Sequence, residues 1–139
     1  MNIKILKSYL PIPNILGLSL ILILTGCGTR YQTKELVGSY VVTYPHGIER
    51  LNLIKDGTYQ QNYIVNDSKL TVTNSGIWKL VDEKEIHLLR PMICDDGFGR
   101  QGNCKIVDGY WPIQIQKAWG KIILPINEDL GFKFKKIGS

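Results

Sequence analysis

From Leu36 to the C-terminus, apolar residues recur at every second position in short runs, and turn-forming residues separate the runs. A period of two puts successive side chains on opposite faces of a strand, so each run can bury one face and wet the other. Tyr40, Val42 and Tyr44 alternate with Ser39, Val41 and Thr43 before Pro45-His46-Gly47 breaks the run. Leu51 and Leu53 alternate with Arg50 and Asn52, and Asp56-Gly57 follows with the positive φ that a tight hairpin requires. Tyr59, Gln61, Tyr63 and Val65 return against Gln60, Asn62 and Ile64, up to a turn at Asn66-Asp67-Ser68. Leu70 and Val72 open a strand that turn propensity ends at Thr73-Asn74-Ser75-Gly76, with a separate run over Ile77–Val81 and another from Ile86 to Leu89. Beyond an irregular stretch from Pro91 to Gly109, three runs remain: Tyr110 to Lys117, Lys121 to Ile126, and Leu130 to Ile137. Only Thr33 to Val37 can wind a single helical turn. The pattern predicts an all-β domain, an antiparallel meander of about eight strands forming a small barrel or a two-sheet sandwich. Pro112 and Pro125 fall inside late runs, where each deletes a ladder donor, and are expected at edges or bulges.

The N-terminal segment is of another kind. Lys4 and Lys7 form a basic start, an apolar run follows from Ile15 to Leu24, and the run ends in Leu24-Thr25-Gly26-Cys27. That order is the order of an export signal. The run is about half of the ~20 residues that cross a bilayer as a helix. The uncharged interval extends from Ser8 to Thr29, however, so a retained membrane helix is the competing reading. Leu24-Thr25-Gly26-Cys27 resembles the lipobox of bacterial lipoproteins at all four positions. The resemblance implies a diacylglyceryl thioether on Cys27, cleavage before it and acylation of the new amino group, palmitate being a usual chain. Small residues at Thr25 and Gly26 suit a peptidase that must approach the backbone closely. The resemblance divides the chain into a signal peptide (1–26), a lipidated cysteine with a short tether (27–35) and a β-domain (36–139). It also implies a membrane partner through the lipid anchor. Gly28 stands where an aspartate would signal inner-membrane retention, which points to the outer membrane facing the periplasm.

Processing changes the charge. The precursor has 17 basic and 12 acidic residues; without Lys4 and Lys7 the net charge falls from +5 to +3. Basic residues are scattered, and an exported protein meets little nucleic acid, so nucleic-acid binding is not expected. With Cys27 acylated, Cys94 and Cys104 remain, ten positions apart in an oxidising compartment, and are expected to form a disulfide. Neither C-x-x-C spacing nor a histidine set supports a metal site there, and no cofactor is implied.

The succession Leu36-Val37-Gly38-Ser39-Tyr40, Asp56-Gly57-Thr58-Tyr59 and Ser75-Gly76-Ile77-Trp78 looks like small lipocalin-like bacterial lipoproteins, over roughly residues 36–90. Tyr40 stands where lipocalins usually carry tryptophan. The resemblance implies a barrel that is filled by its own side chains or holds one small hydrophobic ligand. Among the aromatic residues, Tyr40, Tyr59, Tyr63, Trp78 and Trp111 are the candidate ligand-lining positions; core filling and cross-strand pairing are their structural use. Tyr44, Tyr110 and Trp119 belong to the same aromatic set.

Catalysis finds little footing. His46 lies in a turn, His87 alternates with Ile86 and Leu88 and is expected to face solvent, and no motif sets a nucleophile beside either. Asp95 and Asp96, with Asn103 and Asp108, lack the alternating spacing of a calcium loop. The sequence therefore favours a non-catalytic envelope lipoprotein whose β-domain contacts an envelope protein, with the loop between Cys94 and Cys104 as the contact element. A carrier of a small hydrophobic ligand is the alternative. Closing a ten-residue ring should contribute about 2.5–3 kcal/mol. A reductant is accordingly expected to lower the urea-unfolding free energy by that amount, and an unchanged midpoint would contradict a formed disulfide.

Overall fold

A computed structural model describes residues 29–66, 70–94 and 104–138. One helical turn, α1 (Thr33–Leu36), precedes eleven strands: β1 (Gly38–Tyr44), β2 (Gly47–Leu53), β3 (Thr58–Val65), β4 (Thr71–Val81), β5 (Glu85–Leu89), β6 (Met92–Ile93), β7 (Lys105–Ile106), β8 (Tyr110–Gln114), β9 (Gln116–Ala118), β10 (Lys121–Asn127) and β11 (Phe132–Ile137). Nine of these form one antiparallel sheet in the order β8-β5-β4-β3-β2-β1-β11-β10-β9, and β6 pairs with β7. Apart from β1 on β11, which joins the two halves of the chain, and β5 on β8, which is interrupted by the β6–β7 ribbon, pairings link strands adjacent in sequence.

The sheet nearly closes, so the barrel is formed rather than the sandwich. Its two end strands, β8 and β9, are a single run bent at Ile115. Ile113 pairs with Ile86 of β5, the Ile115 N–H donates to the Lys84 carbonyl at 2.9 Å, and from Gln116 onward the chain pairs with β10. The run is thus handed from one edge of the sheet to the other, leaving a seam between β8 and the outer part of β10. Both prolines border that seam. The Ile115–Lys84 and Arg90–Gly109 backbone bonds place the β5–β8 ladder at odd positions of β8, so the donor missing at Pro112 faces away from β5. Pro125 lies beyond the last β9 pair, and the register of β10 on β11 shifts between Pro125 and Asn127. Edge and bulge are where proline is tolerated.

Alternation sets the core. Tyr40, Val42 and Tyr44 of β1, Leu51 and Leu53 of β2, Tyr59 and Tyr63 of β3, Trp78 of β4, Ile86 and Leu88 of β5, Ile113, Leu124 and Phe134 all point inward and are buried. The helical turn at Thr33–Leu36 forms where the sequence allowed one. Leu36 is fully buried beneath the barrel and its carbonyl accepts the Tyr40 hydroxyl at 2.6 Å. Of the segment read as a tether, the part from Tyr31 onward is docked: Tyr31 is buried and its N–H donates to Glu83 at 2.9 Å. Cys27, with the whole of 1–28, lies outside the described residues.

One boundary differs from the sequence reading. Thr73-Asn74-Ser75-Gly76 is not a turn; β4 runs unbroken through it for 11 residues, paired along its outer half with β3. Turn propensity loses here to tertiary contact. The Asn74 side chain is consumed by inward hydrogen bonds, and Gly76 lets Tyr59 and β5 come close. A Cβ on Gly76 would stand 2.6 Å from the Leu89 carbonyl oxygen and 2.7 Å from the Tyr59 ring. Gly76→Ala is therefore expected to lower stability by about 1–3 kcal/mol through overpacking, whereas Ser75→Ala, on the exposed face, should stay within about 0.5 kcal/mol. Chemical denaturation of the two variants checks this; equal effects would refute the close approach.

Candidate functional site

The strands of the barrel leave two unlike ends. At one, α1 packs beside the turns at Ile54–Gly57, Asp82–Lys84 and Trp119–Gly120; at the other, the β6–β7 ribbon leaves between β5 and β8. That ribbon continues the β5–β8 pair with a one-residue slip, from Arg90 bonded to Gly109 to Met92 opposite Ile106. Arg90 takes a φ of 55°, the left-handed region that a non-glycine residue seldom adopts, and turns the chain over the barrel mouth. Met92 consequently enters the core and is 1 % exposed. Cys94 and Cys104 stand opposite each other one step beyond the Ile93–Lys105 pair and are joined as a disulfide, as the cysteine count implied. Residues 95–103, the body of the contact loop and most of the aspartate cluster, lie outside the described residues. Asp108 is described: it is exposed and pairs with Arg90 at 3.2 Å.

Under this ribbon lies a buried polar cluster that was not singled out from the sequence. Gln61 is fully buried in β3, and its amide matches the backbone of Met92 like a second peptide: Oε1 accepts the Met92 N–H at 2.8 Å and Nε2 donates to the Met92 carbonyl at 3.0 Å. The same Nε2 donates at 2.8 Å to Oε1 of Glu49, which is 2 % exposed, and the Tyr44 hydroxyl donates to Glu49 Oε2 at 3.0 Å. Asn74 Nδ2 reaches the Arg90 carbonyl at 2.9 Å and Gln61 Oε1 at 3.2 Å, while the Tyr59 hydroxyl donates to the carbonyls of Leu89 and Arg90. No buried side-chain nitrogen or oxygen among the described residues lacks a partner. Only parity could have revealed the cluster: Glu49 shares the inward face with Leu51 and Leu53, and Gln61 shares it with Tyr59 and Tyr63.

Burial pushes the Glu49 carboxyl up to about 7, against the opposing hydrogen bonds from Tyr44 and Gln61. A raised carboxyl is the sort of group acid–base sites use. Here both oxygens are engaged within the protein and the side chain is buried. Its counterpart outside is a carboxylate–imidazole pair on β5, Glu85 Oε1 to His87 Nε2 at 2.8 Å, with Gln114 donating to the other Glu85 oxygen at 2.6 Å. His87 is half-buried on the outer face, beside the Tyr110 ring. Among the described residues, no group of three or more histidine, cysteine, aspartate or glutamate side chains could hold a metal.

Of the candidate ligand-lining aromatics, Tyr40, Tyr59, Tyr63 and Trp78 all point into the barrel and are buried, and Trp111 is half-buried against the core. Their polar tips are used by the protein itself: Tyr40 on Leu36, Tyr59 on Leu89 and Arg90, and the Trp78 indole N–H on the Ile54 carbonyl at 2.9 Å. Tyr110 and Trp119 are exposed, Tyr110 because its parity in β8 is outward and Trp119 because it tips a hairpin. The chain matches no family model, no curated protein and no solved structure.

Glu49 gives stability a definite pH dependence. The folded state keeps this proton up to about pH 7, whereas the unfolded chain releases it near 4.5. Between those values the native state binds more protons, so this group's contribution makes stability fall as pH rises from 4.5 to 7 and level off above. The drop is of the order of 3 kcal/mol at most. Glu49→Gln should flatten that component of the urea-midpoint profile; a variant with the wild-type slope over this window would show that another group is responsible.

Proposed function

We propose that the chain is a lipid-anchored protein of the bacterial cell envelope whose non-catalytic barrel presents a disulfide-closed ribbon to another envelope protein. The anchor reading comes from Leu24-Thr25-Gly26-Cys27, and Gly28 favours the outer membrane facing the periplasm. The observation that carries the presenting role is the grip of Gln61 on both polar atoms of Met92, reinforced by Asn74 and Tyr59 on the carbonyls of Leu89 and Arg90. This fixes the base of the ribbon to the barrel wall, as recognition loops on rigid scaffolds require. The docked segment from Tyr31 lies at the opposite end, so a tether to Cys27 would leave the ribbon pointing away from the bilayer. A non-catalytic role agrees with Glu49 being sealed and with the Glu85–His87 pair lying, among the described residues, beside the Gln114 amide, the Tyr110 ring, Lys79 and Pro112.

Two measurements test the reading. Mass analysis of the N-terminal peptide from the native host should find Cys27 acylated and residues 1–26 absent. In-cell crosslinking should capture one envelope protein, and Cys94→Ser with Cys104→Ser should weaken that crosslink severalfold while the barrel persists by far-UV circular dichroism. A crosslink indifferent to the disulfide would remove the ribbon from the interface. Release of a bound lipid in native mass spectrometry would favour the carrier reading instead.

A further inference from the structure

We propose that the barrel end bearing Trp119 is a docking face for an anionic phospholipid surface, with the indole seated among the headgroups. The inference rests on the anchor reading above and concerns how the domain sits, not whether it is attached.

Trp119 has no role in the fold. It is 102 % exposed at the tip of the β9–β10 hairpin, and its φ of 52° is a conformation that bulky L residues rarely adopt. With Gly120 at φ 78° it forms a two-residue loop of the kind that normally carries asparagine and glycine. A tryptophan there is both poorly suited to the turn and unpacked. Lysines flank it: Lys117 and Lys121, both exposed, are two residues to either side. They line, with Lys136, Ile122, Ile137 and Glu35, a groove of about 600 Å³ between α1 and the last strands. Lys136 is engaged, bonded to the Glu35 carbonyl and 5.9 Å above the Tyr40 ring. Four acids share this end: Glu83 faces Arg30 at 3.5 Å, Asp56 accepts from Thr58, Glu35 accepts the Gln32 N–H, and Asp82 is exposed; Arg30, Lys34, Lys55, Lys84, Lys117, Lys121 and Lys136 outnumber them.

An exposed indole on a hairpin that carries Lys117 and Lys121, next to a groove that exposes Ile137, has the chemistry of a membrane-interface contact. The course of the chain selects a bilayer as the occupant. Tyr31 is docked at this same end, and Cys27 is four residues earlier, a reach of at most about 14 Å. An acylated Cys27 would therefore hold this end, and no other, within touching distance of the headgroups.

The test uses the full processed chain extracted from host membranes and reconstituted into nanodiscs of phosphatidylglycerol with phosphatidylethanolamine, or of phosphatidylcholine alone. Brominated lipid should quench part of the tryptophan emission in the anionic discs. Trp119→Phe should abolish that part, since Trp78 is buried and Trp111 half-buried. Lys117→Gln and Lys121→Gln should each lower the ratio of quenched to free Trp119 about fivefold, and added salt should act in the same direction. Quenching that is absent, or that survives Trp119→Phe, would overturn the proposal. So would a Trp119 blue shift in lipid-free detergent that grows with protein concentration, because a second copy would then be the occupant. Mass analysis of the same sample separates the two readings. An acylated Cys27 with unquenched Trp119 sinks the docking face alone. An unmodified Cys27 sinks the anchor, and the quenching still decides the face.

Discussion

The inner face of the barrel is lined by buried apolar side chains, yet that face carries a carboxyl and an amide. Placing Glu49 and Gln61 there is costly unless every polar atom finds a partner. Gln61 meets the requirement by taking the Met92 peptide as its complement, and Glu49 by accepting from Gln61 and Tyr44. The consequence reaches beyond the cluster. The ribbon must fold over the mouth to supply Met92, Arg90 must turn through a left-handed conformation to let it, and β4 must stay extended through Asn74 to reach the Arg90 carbonyl. An apolar pair at the two positions would bury as much surface, but it would not specify where the ribbon lies.

The same constraint explains what the sequence could and could not tell. Strand identity was legible wherever parity and composition agree, as at Tyr40-Val42-Tyr44 and at Phe132-Phe134, because burial on one face is what creates the alternation. The helical turn at Thr33–Leu36 and the Cys94–Cys104 disulfide were legible for similarly local reasons. Asn74-Ser75-Gly76 was not. Its residues have the propensities of a turn, and only the ring of Tyr59 and the carbonyls of Leu89 and Arg90, brought near by the fold, make extended backbone the better state. Glu49 and Gln61 were hidden for the converse reason: polar residues read as solvent-facing until the register shows that they share a face with leucines and tyrosines.

The proline positions show a third kind of legibility, in which the residue announces a constraint but not its place. Pro112 and Pro125 required unpaired or irregular backbone, and both lie on the seam where β8 and β10 part. The break in pairing at Ile115 makes the seam unavoidable: one strand serves both edges of the sheet, and it can pair fully with only one neighbour at a time. The sheet therefore comes nearest to closing at Ile115, on the side of α1, where the run passes from β5 to β10, and it parts toward the ribbon.

That gradient gives the domain a direction. Around α1, the hand-over at Ile115, the buried Leu36 and the docked Tyr31 make a firm base. Toward the ribbon β8 and β10 part, and the ribbon, laddered within itself, is held to the barrel wall by side chains gripping its backbone. Loss of one ladder bond in a sheet is shared among its neighbours, whereas loss of the Gln61 amide would leave both polar atoms of Met92 without their partner. In the proposed arrangement, tethered near α1 and presenting the ribbon, the contact surface would be governed by a few buried groups. One of these, Glu49, changes charge near neutral pH. Glu49 is bonded to the same Gln61 amide that holds Met92, so the charge of this carboxyl and the grip on the ribbon's base share one hydrogen-bond network.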